Sequence, residues 1–418
     1  MSLSSSPRSA RSLDRQRELE LFRVSARSTL TPTTGRHLDE LLAEAIDWRY
    51  VLSVGGLHGV LPLMNLHLGS RETVPSAVRR DLQERSERVA RSNLYLSAQL
   101  TLIADALDRA GCPAVVLKGP AVAATLYPNL SLREFGDLDL LVRRTDVAGA
   151  MQVIRSLGFV PWRTAAGAQE EAMHQIEYSR TFTRPGDDLD LDVHWDVARS
   201  FFTGRVEAEA LWTEAMEFTL HGRVLRGLSP TALLLALCVH GAKHGPFPWP
   251  RMKWICDVAE FVRGAGDFDW IAAVRRSEEL GCRRTMLLGL ALSRPLLDDP
   301  LPEAIESELA LESRVEDLAG RIWAWLSQDT PVLLSFKERV AIDMTLIDSG
   351  AARLTYAVRR LFTPTSRDWG STRLPERFGF LYMPIRIARL AGQYVRHPGR
   401  IRLLLRRSVP PSHSDGAS

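Results

Sequence analysis

The sequence predicts an α+β fold in which one small mixed sheet is flanked by all-helical regions on either side along the chain. Two observations support this. Residues 112–228 mix short apolar runs of strand type with helical stretches, whereas the flanking regions show only helical periodicity. The predicted segments are a disordered tail (1–16), an N-terminal helical region (17–111), the α/β core (112–228), a helical domain (229–345) and a helical, Arg-rich extension (346–418).

Composition limits the protein classes to which the chain can belong. Its 418 residues suffice for two or three domains, and 53 basic against 50 acidic residues leave a net charge of +3. A nucleic acid is therefore not expected as the main partner. The four cysteines are scattered in apolar stretches, which favours a reducing cytoplasm, and no apolar run is long enough for a transmembrane segment.

The helical region before the core ends in a well-marked stop. Four apolar residues recur at helical spacing on one face, and Gly111 and Pro113 then end the pattern. The four are Leu96, Leu100, Ile103 and Leu107. This stripe predicts a helix that packs against the sheet.

The core opens with a strand, a glycine turn and a helix start. AVVLKG is a short apolar run that ends in Gly119, and Pro120 then takes the first helical position, where its missing N–H is tolerated. Free N–H groups at a helix start bind anions. The sequence therefore predicts a phosphate site after Gly119.

Two acidic strands follow. Alternation in DLDLLV places Asp137 and Asp139 on one face, and alternation in DLDLDVHW places Asp190, Asp192 and His194 on one face. If the two strands are neighbours, a third carboxylate lies beside the first two. Such a cluster calls for a divalent cation, and Mg²⁺ prefers carboxylate and phosphate oxygens. A pair of such ions activates hydroxyls in phosphoryl and nucleotidyl transfer. We expect two Mg²⁺ ions, with Mn²⁺ as the alternative.

Three runs carry a resemblance to a known family. VVLKGPAVAATLYPNLSLREFGDLDLLV, LDVHWDV and CVHGAKHGPFPWPRMKWICDVAEFV, with LHGVLPL upstream, resemble the bacterial uncharacterised nucleotidyltransferase family of the DNA polymerase beta-like superfamily. The likeness spans roughly residues 45–300. It implies a nucleotidyltransferase core in which Asp137 and Asp139 hold the metals and Asp192 is the third carboxylate, with Asp190 as its rival.

The resemblance also implies a nucleotide site. Gly119 stands where members of the superfamily carry the first residue of a Gly-Ser or Gly-Gly pair, but Pro120 replaces the second. Lys118 and Arg133 are the candidates for the positive charge that the triphosphate needs. His194 either orients the third carboxylate, contacts substrate or bonds to backbone.

The helix after the core carries a polar face formed by His240, Lys243 and His244, and the next helix adds Arg251, Lys253 and Asp257 to it. Three interpretations stay open for this face. It lines the cleft and holds the base, ribose or acceptor, it forms interhelical hydrogen bonds, or the two histidines at i, i+4 bind zinc.

These observations predict a cytoplasmic, Mg²⁺-dependent nucleotidyltransferase. It would move NMP from an NTP, with ATP as the first candidate, to a hydroxyl or phosphate of an unidentified small molecule or protein. The alternatives are an inactive nucleotide-binding regulatory or scaffold protein and a toxin-like modifier of tRNA or protein. The arginines from Arg386 to Arg407 form a solvated helix, contact an anionic membrane surface or bind a nucleic acid.

Overall fold

The computed structural model describes residues 15–162, 178–196, 208–243, 247–328, 332, 334–363, 374 and 376–395. These residues fall into two compact units, of which the first ends at Arg353 and the second begins at Leu354. The α+β class with one mixed sheet is confirmed. The predicted domain limits stay predictions, and the tail up to residue 14 lies outside the described residues.

In the described residues before the sheet, the chain forms five helices. They are α1 (Gln16–Ser25), α2 (Pro32–Leu42), α3 (Trp48–His58), α4 (Leu61–Leu68) and α5 (Ser76–Arg109). The side chains of Thr31 and Asp47 cap α2 and α3 by accepting backbone N–H groups. The long helix α5 ends before Gly111, whose φ of 71° lies in the left-handed region. The predicted glycine stop is therefore confirmed.

The sheet and its connections follow. In chain order they are β1 (Ala114–Val116), α6 (Pro120–Leu126), β2 (Asp137–Val142), α7 (Val147–Ser156), β3 (Val160–Pro161), β4 (Ser179–Arg184), β5 (Leu189–His194), α8 (Ala208–Thr213), β6 (Met216–Leu220) and β7 (Arg223–Gly227). The strand order is β3-β4-β5-β2-β1-β7-β6. The two acidic strands β2 and β5 are parallel neighbours in the middle of the sheet.

The two faces of β2 differ in the way that alternation predicts. Leu138, Leu140 and Val142 are fully buried on one face, in the same apolar cluster as the predicted stripe of α5. The opposite face carries Asp137 and Asp139 toward the start of the strand. The apolar face therefore anchors β2 to α5 and leaves the carboxylates on the other side.

A hairpin at the sheet edge was not anticipated. Strands β6 and β7 pair antiparallel around His221 and Gly222, which have φ values of 49° and 76°. Two consecutive residues with positive φ are typical of a tight hairpin whose twist matches its strands. β7 pairs parallel to β1, so β6 is the edge strand on that side of the sheet.

Helices make up the described chain after the sheet. They are α9 (Pro230–Lys243), α10 (Met252–Arg263), α11 (Trp270–Glu279), α12 (Arg283–Ser293), α13 (Glu303–Ala310), α14 (Ser313–Leu326), α15 (Phe336–Leu346), α16 (Gly350–Phe362) and α17 (Tyr382–Val395). Most of the helices from α9 to α14 share one large apolar cluster with the N-terminal helices. Among the described residues, no helix has both the length and the apolar character needed to cross a bilayer.

Candidate active site

The register between β2 and β5 sets the geometry of the acidic cluster. Asp137 stands opposite Asp190, and Asp139 stands opposite Asp192. Residues that pair across neighbouring strands project their side chains from the same face of the sheet, so each of these two aspartate pairs lies on one face. The prediction that a third carboxylate lies beside the first two is therefore met by the strand pairing.

Asp139 is the centre of the cluster. It is buried, and its Oδ1 atom lies 2.9 Å from the Nζ atom of Lys118 and 2.9 Å from the Nε2 atom of His194. A buried carboxylate is stable only when its charge is compensated and its oxygens are hydrogen-bonded. Lys118 and His194 supply this compensation, from the turn after β1 and the end of β5.

Three side chains come close enough to share one cation. Ligand atoms of Asp139, Asp192 and His194 all lie within 4.8 Å of one another. Asp137, which the sequence placed in the metal set, does not belong to this close group. Asp190 is exposed and lies two residues before Asp192 on β5, opposite Asp137. The geometry thus distinguishes Asp192 from its rival Asp190.

Each of these β5 carboxylates has a threonine partner on the neighbouring strand β4. Thr181 donates its hydroxyl hydrogen bond to Asp192, and Thr183 donates to Asp190 at 2.6 Å. Sequence reasoning missed both threonines. Alternation along β4 was the available signal, because Thr181 and Thr183 pair directly opposite the two aspartates.

The charges in the cluster shift one another's titration. Burial raises the pKa of Asp139, but the Lys118 ammonium and the hydrogen bond from His194 outweigh it and hold the pKa well below the usual range. Repulsion from Asp139 raises the pKa of Asp137, and burial adds to that increase. Burial lowers the pKa of Lys118, but attraction to Asp139 and Asp137 raises it overall. Asp139 and Lys118 therefore form a charged pair at neutral pH.

The residues present fit a divalent cation. The Nδ1 atom of His194 is buried and has no hydrogen-bond partner among the residues that the structure describes. A buried ring nitrogen without a partner is costly and is often found where a ligand completes the site. Two carboxylates and one imidazole form a donor set that suits Mn²⁺ as well as Mg²⁺.

The turn after β1 approaches β2 closely. Gly119 has a φ of 57°, and a Cβ atom at this position would lie 3.3 Å from the carbonyl oxygen of Asp137. A glycine is therefore suited to this turn. The helix that follows, α6, has only seven residues and begins with Pro120, which has no N–H to offer a phosphate. The phosphate role of Gly119 stays a prediction.

The polar face of α9 lies next to the cluster. The Nδ1 atom of His240 is 3.1 Å from the Nζ atom of Lys118. The ammonium of Lys243 lies 4.6 Å from the ring centre of Tyr178, and burial lowers its pKa to about 7 with repulsion from Lys118 as the second cause. His244 lies outside the described residues. The zinc interpretation of the two histidines is therefore untested.

The side chain of Arg133 is paired with a carboxylate that was not among the predicted metal ligands. Its guanidinium forms a two-pronged ion pair with Asp257 on α10, at 2.8 and 2.7 Å, and both side chains are buried. The hydroxyl of Tyr127 donates a third hydrogen bond to Asp257 at 2.9 Å. The structure therefore gives Arg133 a partner other than the predicted triphosphate, and it leaves Lys118 as the cation beside Asp139.

The LHGVLPL segment anchors the start of α10. The carbonyl oxygen of Leu57 accepts a hydrogen bond from Arg251, and the Nδ1 atom of His58 accepts one from the Met252 N–H at 3.2 Å. Desolvation and the Arg251 charge lower the pKa of His58 to about 4, so the ring is neutral at physiological pH. The last turn of α3 and the first turn of α10 are thus joined.

Gly59 extends this junction toward the site. Its φ is 70°, and a Cβ atom there would lie 2.8 Å from the Cδ atom of Lys253. The Nζ atom of Lys253 donates a hydrogen bond to the carbonyl oxygen of Glu134 at 3.2 Å. Because Gly59 has no side chain, the aliphatic part of Lys253 can pack against its backbone while the ammonium reaches Glu134, in the segment before β2.

Comparisons with known proteins give one family and one solved structure. The solution structure of the antibiotic-resistance factor ANT(2'')-Ia matches with 18% identity and a TM-score of 0.32, over 44% of this chain and 94% of that one. No curated protein sequence matches the chain. The model of a family described as uncharacterised nucleotidyltransferase matches residues 44–298, which is more than half of the chain. The chain therefore belongs to the uncharacterised nucleotidyltransferase family.

Proposed function

We propose that this protein is a divalent-metal-dependent enzyme that transfers NMP from an NTP, with ATP as the first candidate donor, to a hydroxyl or phosphate of a small molecule or protein. Membership of the nucleotidyltransferase family supports the reaction class. One observation of the structure carries the proposal further. The parallel register of β2 and β5 brings Asp139 and Asp192 together beside the Lys118 ammonium.

The proposed chemistry assigns a role to each carboxylate. Asp139 and Asp192 would hold a cation with His194, and Asp137 would complete the acidic face toward the triphosphate. When bound, the cation polarises phosphoryl oxygens and stabilises the pyrophosphate that leaves. Asp192 would accept the proton of the acceptor hydroxyl as its oxygen bonds to the α-phosphorus. The bond between that phosphorus and the pyrophosphate oxygen breaks in the same step.

The donor side of the site would be basic. The ammonium of Lys118 contacts Asp139, and it would contact a phosphate oxygen when the nucleotide is bound. His240 contacts Lys118, and Lys243 lies on the same face of α9. We propose that this helical face lines the cleft and contacts the nucleotide, as the domain from residue 229 to 345 was expected to do.

The test compares Asp192→Asn with Asp190→Asn. Both aspartates lie on the same face of β5 and each accepts a threonine hydroxyl, so the two variants change similar surroundings. We expect Asp192→Asn to reduce label transfer from ATP labelled at the α-phosphate by at least about a hundredfold, as removal of one catalytic group typically does. Asp190→Asn should stay within about threefold of the wild type.

A cell lysate supplies the acceptor in this assay, so a second readout without an acceptor is needed. Isothermal calorimetry with Mn²⁺ alone should show weaker binding by Asp192→Asn and unchanged binding by Asp190→Asn. Equal loss of label transfer in both variants, or wild-type transfer by Asp192→Asn, would contradict the assignment. Asp139→Asn is less suitable as the first variant, because it leaves Lys118 without its counter-charge.

A nucleotide-binding protein without turnover is the second candidate. Pro120 favours it, because the first residue of α6 offers no N–H to a phosphate. Under this alternative, calorimetry would detect binding of ATP with Mn²⁺ while no label appears in any acceptor. Label transfer that depends on Asp192 would exclude this candidate.

A further inference from the structure

The second compact unit exposes apolar side chains where a helix normally carries polar ones. On α16, Leu354, Val358 and Leu361 recur at spacings of four and three residues, and all three are exposed, Leu354 to 68%. The same helix turns Tyr356 inward and half-buries Arg360. Its apolar face therefore points to the solvent.

The helix α17 repeats this inverted pattern. Met383 and Ile387 are exposed at a spacing of four residues, whereas Tyr382 and Arg386 are buried. The guanidinium of Arg386 donates to the carbonyl oxygens of Leu361 and Arg360 at the end of α16. An arginine thus satisfies the last carbonyls of one helix from the inner face of the other. Arg386 therefore does not belong to a solvated arginine face.

The charge of this part of the chain is strongly one-sided. Residues 354–418 contain twelve arginines and three acidic residues, while the preceding 353 residues have a net negative charge. Neither α16 nor α17 contains an aspartate or glutamate. Within these two helices, every charged residue that accompanies the exposed apolar side chains is therefore an arginine.

A partner for this surface must accept apolar side chains and carry negative charge. An anionic bilayer surface offers both, since amphipathic helices insert their apolar residues at the headgroup boundary and their arginines pair with lipid phosphates. A nucleic acid would attract the arginines but would leave the apolar residues without a partner. A second copy of this unit would place arginines against arginines.

We propose that the helices α16 and α17 form a docking surface for an anionic membrane, which they contact through Leu354, Val358, Met383 and Ile387. Docking would hold the nucleotidyltransferase at the membrane through surface contact, since none of the helices in the described part of the chain can cross a bilayer. This inference does not rest on the proposed reaction, since it concerns a different unit of the chain.

The test is sedimentation of the full-length protein with vesicles. Vesicles of phosphatidylglycerol and phosphatidylcholine should carry the wild type down, and vesicles of phosphatidylcholine alone should carry much less. Leu354→Gln with Val358→Gln should lower the partition coefficient for the anionic vesicles by at least about tenfold, because the variant replaces two exposed aliphatic side chains that insert into the bilayer in the proposed docked state. Ile387→Gln tests α17 separately and should lower it by a smaller factor.

Leu311→Gln is the matched control. Leu311 is 79% exposed in the first unit, so the variant removes an exposed leucine from a surface that is not part of the proposal. It should sediment like the wild type. The proposal would be overturned if the wild type did not sediment with anionic vesicles. It would also be overturned if the same residues mediated dimer formation or RNA binding instead. Equal binding by the glutamine variants and the wild type would overturn it as well.

Discussion

At the scale of single residues, the alternating pattern of β5 could not choose between Asp190 and Asp192 as the third carboxylate of the cluster. Alternation places Asp190 and Asp192 on the same face of β5, so periodicity treats them alike. The register against β2 separates them, because Asp192 pairs with Asp139. Register depends on contacts between distant strands, which a local pattern does not contain.

The role of Arg133 shows a second limit of reasoning from sequence. The family resemblance suggested Arg133 as a phosphate ligand, but its guanidinium is paired with Asp257, more than a hundred residues away in the chain. Asp257 was noticed only as part of a polar helix face, and Tyr127 carried no signal. A buried ion pair of this kind forms by tertiary packing, and its two partners are rarely recognisable from local spacing.

Removing Asp257 should therefore destabilise the fold. Asp257→Asn leaves the Arg133 guanidinium buried without a counter-charge, and such a loss typically costs about 3 to 5 kcal/mol. Denaturant unfolding should show this decrease in the free energy of unfolding. Asp39→Asn removes one partner of the more exposed ion pair with Arg71 and should cost less than about 1 kcal/mol. Similar decreases in the free energy of unfolding in both variants would contradict the larger contribution to stability assigned to the buried pair of Arg133 and Asp257.

Whole elements were easier to anticipate than residue partners. The stripe on α5, the glycine stop after it and the two acidic strands follow from patterns within one segment. The hairpin of β6 and β7 was missed although His221 and Gly222 form a two-residue turn between alternating runs. That local signal existed, but β7 also needed β1 as a partner, and their pairing spans more than a hundred residues.

The junction of α3 and α10 gives a prediction at the scale of elements. Gly59→Ala adds a Cβ atom in the left-handed region and presses it against the Cδ atom of Lys253. We expect a loss of roughly 2 to 3 kcal/mol in the free energy of unfolding, of which about 1 kcal/mol comes from the backbone conformation. Displacement of Lys253 should also reduce label transfer from ATP.

Gly111→Ala separates the two causes. Gly111 has a φ of 71°, nearly the same as Gly59, but a Cβ atom there would meet nothing within 4 Å. Its substitution should therefore cost only the backbone part and leave label transfer unchanged. If both alanine variants lose the same free energy of unfolding and keep wild-type label transfer, the contact between Gly59 and Lys253 contributes neither to stability nor to activity.

At the scale of the whole molecule, the average composition concealed the uneven distribution of charge. A net charge of +3 excludes a nucleic acid as the main partner only if the charge is spread evenly. The net positive charge is instead concentrated after residue 353, where the exposed apolar faces of α16 and α17 also lie. The sequence pattern of α16 and α17 did not predict which side of each helix faces inward. Arg386 is buried in α17, whereas Leu354 and Leu361 of α16 are exposed.

Stability of the whole molecule should fall on mild acidification. Burial and the Arg251 charge lower the pKa of His58 from 6.5 to about 4, and burial also lowers the pKa of His67 near Arg71, Arg27 and Glu260. Between pH 6.5 and pH 4 the unfolded chain binds a proton at His58 and the folded chain does not. The free energy of unfolding therefore decreases as the pH falls through this window, by up to about 3 kcal/mol from His58.

Denaturant unfolding measured from pH 7 down to pH 4 checks this dependence. His58→Gln removes the titrating ring and keeps an amide oxygen that can accept the Met252 N–H, so its curve should be flatter than that of the wild type. His37→Gln is the control, because His37 is partly exposed and contacts Glu20 and Glu40 on the surface. A wild-type curve parallel to that of His58→Gln would mean that this histidine is not the group that makes the junction of α3 and α10 sensitive to acid.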